Sequence, residues 1–310
     1  MAEVSFEFLM GGTFKEVGFL KTCILISVWP DYDWLLPILK GMLAESWPGH
    51  PELVFSKNVG DGRNWTKNLA AGVADARDRG FDSAYLINEE HVPVGPCNVD
   101  YLTRKLPRQA TELGAEYVSL FGWDNKRFCS RSPVLDFEKG MWMHLIRKKD
   151  PRFHLHPAWW KLDALEACCR LTLKDDVSNG SAWRFEKTCD NPNADLPEHF
   201  QTACYQISAS ATRISPLQPL AISLLLSKRW LANKAMAVSP HLHEGPLRTA
   251  WLKVWNFDDV ISYGAYPMVF SGVLAKGKMN PAFLKHSQRS EFSKKWMQQI
   301  SRILAKNQAC

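Results

Sequence analysis

Four short apolar runs, spaced by helical patterns, constrain this chain more than any other feature. Cys23-Ile24-Leu25-Ile26-Ser27-Val28 is nearly continuous and partly β-branched, as suits a strand covered on both faces. Glu52–Ser56, Ser83–Ile87 and Glu116–Leu120 repeat the pattern. Between them, Leu35, Leu36, Ile38, Leu39, Met42 and Leu43 mark one helix. Trp65, Leu69, Val73 and Ala76 mark a second that stops at Gly80, and residues 99–113 supply a third. Asp33 is a candidate N-cap, and Pro37 falls where a first turn tolerates it. Strand and helix in alternation predict an α/β fold with a mostly parallel, Rossmann-type central sheet flanked by helices, best defined over 20–125.

Beyond residue 125 the pattern loosens. Met141–Ile146 and His154–His156 read as strands, Trp160–Cys169 as a helix, and Ser287–Lys306 as an amphipathic helix with Phe292, Trp296, Ile300 and Leu304 on one face. The expected organisation is a core over 1–190 with an irregular C-terminal extension over 191–310. No internal repeat or low-complexity tract interrupts it.

Composition narrows the partners. The net charge of +6, from 38 basic and 32 acidic residues, falls short of the basic stripe that duplex binding requires, so no nucleic-acid partner is expected. It suits a small anionic ligand. Thirteen Trp in 310 residues fit a protein that packs sugars or bases, although a Trp-rich core is the plainer reading for most of them. Eight cysteines without a C-x-x-C pair point away from a zinc ribbon and towards a reducing, cytoplasmic setting. The N-terminus does not read as a secretory signal. Lys294, Lys295, Arg302 and Lys306 on the last helix fit either peripheral contact with an anionic membrane or an ordinary packed helix, the favoured of the two.

Chemistry concentrates at Glu89-Glu90-His91, directly after the third run. Ligands of open α/β sheets bind outside the carboxyl ends of the strands, where two carboxylates and an imidazole are placed to hold a divalent cation and, through it, a diphosphate. A solvated acidic turn is the plain alternative. Trp65 through Leu69 to Tyr85-Leu86-Ile87-Asn88-Glu89-Glu90 resembles bacterial and viral glycosyltransferases of the GT-A type, broadly family 2-like. In those, a Trp-led helix precedes an apolar strand ending in Asn or Gln and two aspartates. Here both carboxylates are present but are one methylene longer. Ser181-Ala182-Trp183-Arg184-Phe185-Glu186 resembles a second family motif, His156–Asp163 the helix entry before it, and Val273–Pro281 a closing basic-Gly-basic turn.

The resemblance implies a GT-A-like fold and sugar transfer from a nucleoside diphosphate sugar to a carbohydrate or lipid-linked glycan acceptor, with Mn²⁺ or Mg²⁺ at Glu89, Glu90 and His91. Glu186 is the expected base, consistent with inversion, and Trp160 and Trp183 are the expected acceptor platforms. Asp31, Asp61, Arg63, Asn88, Lys276 and Lys278 are the donor-contact candidates; an exposed turn explains the two lysines equally well. Two rivals stand beside this reading. A non-catalytic carbohydrate- or nucleotide-binding scaffold of the same fold would account for the glutamates. A methyltransferase would require a glycine-rich turn after the first strand, where Trp29-Pro30-Asp31 stands instead.

Overall fold

The computed structural model describes residues 20–56, 64–93, 97–122, 135–137, 141–145, 153, 155, 157–174, 180–191, 194–196, 200–207, 270–275, 278–279, 295–296 and 298–303. Its frame begins with β1 (Thr22–Ser27), a 3-10 turn over Pro30–Leu35, and α1 (Leu36–Ser46). β2 (Leu53–Phe55), α2 (Trp65–Asp78) and β3 (Ser83–Asn88) follow, then the short β4 (His91–Pro93). A π-helical turn over Tyr101–Lys105 leads into α3 (Leu106–Glu112) and β5 (Tyr117–Gly122). Next come β6 (Leu135–Phe137), β7 (Met141–Leu145), β8 (Ala158–Lys161), α4 (Leu162–Leu173), α5 (Ala182–Asp190) and β9 (Thr202–Ile207). β10 (Phe270–Gly272), β11 (Leu274–Ala275) and β12 (Lys278–Met279) are short, and residues 295–303 are helical where described.

The eight-stranded sheet has the order β2-β1-β3-β8-β5-β9-β7-β6. β1, β2 and β3 are parallel, as are β5 and β9. β8 runs against both β3 and β5, and β7 runs against both β9 and β6. Six of the eight strands therefore point one way, so the sheet is mostly parallel, as expected. The two reversed strands are the departure from a simple alternating α/β reading.

Alternation along the strands divides the core into two layers. Ile24, Ile26, Tyr85 and Ile87 pack on one face with α1 and α3; Cys23, Leu25, Ala84 and Leu86 pack on the other with α2, α4 and α5. A sheet buried on both faces needs apolar side chains in both registers, which is why these strands read as unbroken apolar runs.

Two local expectations change. Asp33 caps nothing: Leu35 stands at the N-cap of α1, after the 3-10 turn. The helix expected from residue 160 starts at Leu162, and Trp160 belongs to β8. The strand read over 154–156 includes His154 and His156, which lie outside the described residues. Asn64, by contrast, is a working N-cap of α2, its side chain accepting from the Lys67 N–H. Gly80 ends that helix region at φ 76°, the left-handed conformation glycine adopts freely.

Residues past 190 contribute to the main sheet and to the core. β9 lies inside the main sheet between β5 and β7, β10 pairs with β4, and Ile300 is fully buried in the core layer of α1. The last helix is a packed one. The Trp296 indole donates to Glu45 at 3.1 Å and abuts Gly41, where a Cβ would collide with the edge of the ring. The stripe read as a membrane-facing option is thus turned inward at Trp296 and Ile300; Phe292 and Leu304 lie outside the described residues. No helix among the described residues is long and apolar enough to cross a membrane.

Candidate functional site

β1, β2 and β3 end together, and their carboxyl ends form one rim. Ser27 is opposite Asn88 in the β1–β3 ladder. Ser56, just past β2, accepts a hydrogen bond from the Val28 N–H on its Oγ at 2.8 Å and donates its own N–H to Ile26 O at 2.8 Å. Two hydrogen bonds thus knit the ends of β1 and β2. The Ser27 hydroxyl is buried and has no hydrogen-bond partner among the described residues. Asn88 closes β3 and donates from Nδ2 to Leu155 O at 2.8 Å.

Glu89 and Glu90 form the turn between β3 and β4. The Glu89 N–H donates to Ser27 O at 3.1 Å, and Glu90 O accepts from the Val273 N–H at 2.8 Å. The turn is therefore held from two sides, by β1 and by a segment over 180 positions later. His91 opens β4 and stands opposite Gly272 of β10. Through β10 and the β11–β12 pair, the third sequence motif arrives beside the first, with Lys278 opposite Ala275.

The electrostatics follow from burial. Glu89 is 4% exposed. Desolvation pushes its carboxyl up to about 8, against lowering by the backbone N–H groups of Glu89 and Trp29, with further raising by Glu90 and Asp33. Glu90 is raised as well, by burial. Tyr32, in the 3-10 turn, is raised first by desolvation and then by Glu90, Glu89 and Asp31. These influences gather Asp31, Tyr32, Asp33, Glu89 and Glu90 into one acidic neighbourhood. Near neutral pH a pair of this kind retains a proton in place of a cation, and a divalent ion competes for the same oxygens.

The second motif reaches the same end of the sheet by a different path. α2 leaves the rim after β2, and the Thr66 N–H in its first turn donates to Gly180 O at 2.7 Å. Gly180 fits because its missing Cβ leaves room for the Asn64 side chain. α5 begins just beyond, capped by Ser181, whose hydroxyl accepts from the Arg184 N–H. Phe185 is the buried anchor of α5, edge-on to Trp65 at 5.3 Å and to Trp160 at 6.3 Å. Trp183, 81% exposed, is a large apolar side chain left to solvent at the start of α5. Glu186, half-buried, follows it by three positions, so the two are neighbours on the helix surface.

Trp160 is a correction. It is 2% exposed, stacked on Phe153 at 5.4 Å and meeting Tyr117 edge-on at 4.6 Å. Both faces of the indole are in the core layer, so Trp160 offers no platform to an acceptor. Asp31 is exposed, and its carboxylate accepts from the Trp29 indole at 3.3 Å. Asp61, Arg63 and Lys276 lie outside the described residues. Tyr32 and the Trp29 N–H were not singled out from the sequence; their signal was position alone, Trp29 between the strand end and Asp31, and Tyr32 between Asp31 and Asp33.

Among the described residues no three His, Cys, Asp or Glu side chains form a metal-holding group. What the site offers a cation is therefore the Glu89–Glu90 pair. Two carboxylates completed by water and phosphate oxygens are a sufficient set for Mg²⁺-type binding.

No protein-family model matches the chain. No curated protein matches it either. Among solved structures, the crystal structure of A197 from STIV aligns over 61% of this chain and 83% of that one, at 14% identity and a TM-score of 0.32. At that score the likeness carries no argument, and the fold rests on the strand order given above.

Proposed function

We propose that this chain is a GT-A-like glycosyltransferase that moves a sugar from a nucleoside diphosphate sugar to a carbohydrate or lipid-linked glycan acceptor. The observation that carries the reading is the placement of the Glu89–Glu90 turn at the carboxyl ends of β1–β3, with Glu89 buried, while the start of α5, which bears Trp183 and Glu186, is tied through Gly180 to the first turn of α2. Open α/β sheets bind their ligands at this rim.

In this reading Glu89 and Glu90 would hold a divalent cation, with His91 beside them, and Asp31 and Asn88 would line the approach of the donor. The bound cation would neutralise the diphosphate as it departs. Trp183 presents an indole face to the acceptor ring. An acceptor hydroxyl attacks the anomeric carbon, the bond from that carbon to the diphosphate oxygen breaks, and Glu186 takes the hydroxyl proton. One base and a direct displacement give inversion.

The second reading, a scaffold that binds but does not turn over, draws its support from the glutamates at 89 and 90, where the family the chain resembles carries aspartates. Calorimetry with Mn²⁺ and nucleoside diphosphates, run beside a donor-hydrolysis screen, separates the two. A transferase shows metal-dependent binding and slow donor cleavage, and Glu90→Ala lowers the cleavage by about 100-fold or more. Unchanged cleavage in a folded Glu90→Ala protein removes the assignment; binding without cleavage selects the scaffold.

A further inference from the structure

Two backbone hydrogen bonds grip the Glu89–Glu90 turn, and they come from opposite ends of the chain. Glu89 is tied to β1 through Ser27, as any residue at the end of a parallel strand would be. Glu90 is tied differently. Its carbonyl accepts from the N–H of Val273, in a segment outside the main sheet that reaches this rim by pairing β10 with β4. Val273 sits at the bend between β10 and β11, and its side chain is fully buried in the core layer that also holds Val92, Tyr85 and Ile87.

These facts belong together. A peptide carbonyl fixed in direction fixes the plane of the Glu90–His91 peptide, which in turn limits where the Glu90 side chain leaves the backbone. A hydrogen bond from a mobile strand would fix little. Here the donor is pinned by a buried aliphatic side chain on the same residue and by ladder pairing at Gly272, Ser271 and Phe270 on its N-terminal side. The β10 segment has no other neighbouring strand than β4 among the described residues, so its pairing serves the stretch that begins at His91.

We infer that Val273 is a positioning residue for the Glu90 carboxylate: its buried side chain anchors the N–H that orients the turn, and so sets the affinity of the pair for a divalent cation. The inference rests on the proposed function. Groups that orient ligands of a metal without touching it commonly change affinity by about 10- to 100-fold when lost.

The test uses the full chain and Mn²⁺ as probe, alone and with uridine, guanosine, adenosine or thymidine diphosphate, read by calorimetry. Val273→Pro removes the N–H; Val273→Ala keeps it but empties the anchor; Val273→Thr keeps both N–H and shape. Leu43→Ala, on α1 in the same core layer, is the control for stability alone. The expected result is an apparent Mn²⁺ dissociation constant raised by about tenfold or more in Val273→Pro, raised less in Val273→Ala, and near wild type in Val273→Thr and Leu43→Ala. If Val273→Pro does not fold, Val273→Ala against Leu43→Ala at matched melting temperature decides. Equal affinity in all folded variants overturns the positioning role while leaving the transferase reading intact. A wild-type chain that binds neither Mn²⁺ nor any of the diphosphates overturns that reading and this one with it.

Discussion

Replacing Glu89 by Gln should make the protein more stable at alkaline pH and leave it nearly unchanged in acid. Glu89 is 4% exposed, and burial lifts its carboxyl from 4.5 to about 8. A group that binds its proton more tightly folded than unfolded contributes its full stability below the unfolded value. That contribution is lost as pH rises through the folded value. The window is thus about 4.5 to 8, and the interval at ~1.4 kcal/mol per pH unit sets an upper bound of ~5 kcal/mol. Water entry or local relaxation brings the figure down, so 2–4 kcal/mol is a working expectation, on the order set by ~1.4 kcal/mol per pH unit. Gln preserves the shape of the protonated acid and cannot ionise. Urea melts of both proteins at pH steps from 5 to 9 supply the difference directly, and its growth with pH isolates Glu89 from the raised Glu90 that both proteins share. A pH-independent difference, or one that shrinks as pH rises, would refute the burial argument. Mn²⁺ at pH 8 should recover stability in the wild type and much less in Glu89→Gln, because ligand bound only to the folded state adds to its stability.

Two further perturbations address the packing. Trp160→Ala should cost about 3–5 kcal/mol, as the loss of a buried aromatic does, whereas Trp183→Ala should change stability by no more than about 0.5 kcal/mol and reduce acceptor-dependent turnover. Comparable melting temperatures for the two variants would contradict the burial assignments. Gly41→Ala, inside α1, would ordinarily gain ~1 kcal/mol of helix propensity; with the Trp296 indole against that position it should lose about 1–3 kcal/mol instead. A double-mutant cycle with Trp296→Ala checks the cause, since the penalty should vanish when the indole is gone.

The parallel half of the sheet was legible because its evidence is local. Ile24, Leu25 and Ile26 are apolar in both registers, and such a run has few places to go other than a strand with helices on both sides. The reversed strands were not legible in the same way. β8 carries Trp159 and Trp160 to opposite core layers, a strand property, yet it runs straight into α4, so the pair reads equally well as the first turn of that helix. What makes it a strand is pairing with β3 and β5, whose partners Tyr85 and Tyr117 lie more than forty positions upstream. Propensity yields to tertiary context at such a place.

The candidate site divides along the same line. The location of Glu89 and Glu90 at the carboxyl end of β3 followed from chain direction alone, which alternation reveals. Their state did not. The rise of the Glu89 carboxyl comes first from burial and then from Glu90 and Asp33, against lowering by the backbone N–H groups of Glu89 and Trp29. None of that is written in a Glu-Glu dipeptide, which in isolation reads as a solvated turn. Nor does any local pattern announce that Val273 will donate to Glu90. The bond links positions more than 180 apart, and although Val273 opens the stretch read as a closing basic-Gly-basic turn, nothing in that stretch points to Glu90. On the proposed function, the length of the two glutamates acquires a physical sense. A side chain one methylene longer reaches further from the strand end, and it needs a fixed departure direction if it is to hold a cation with its neighbour. The Ser27 and Val273 hydrogen bonds to the turn supply that direction from either side. If so, shortening Glu90 to Asp while keeping both bonds should weaken Mn²⁺ binding rather than restore an ordinary pair, and calorimetry on Glu90→Asp decides it: tighter binding would mean that the turn is already placed for the shorter acid.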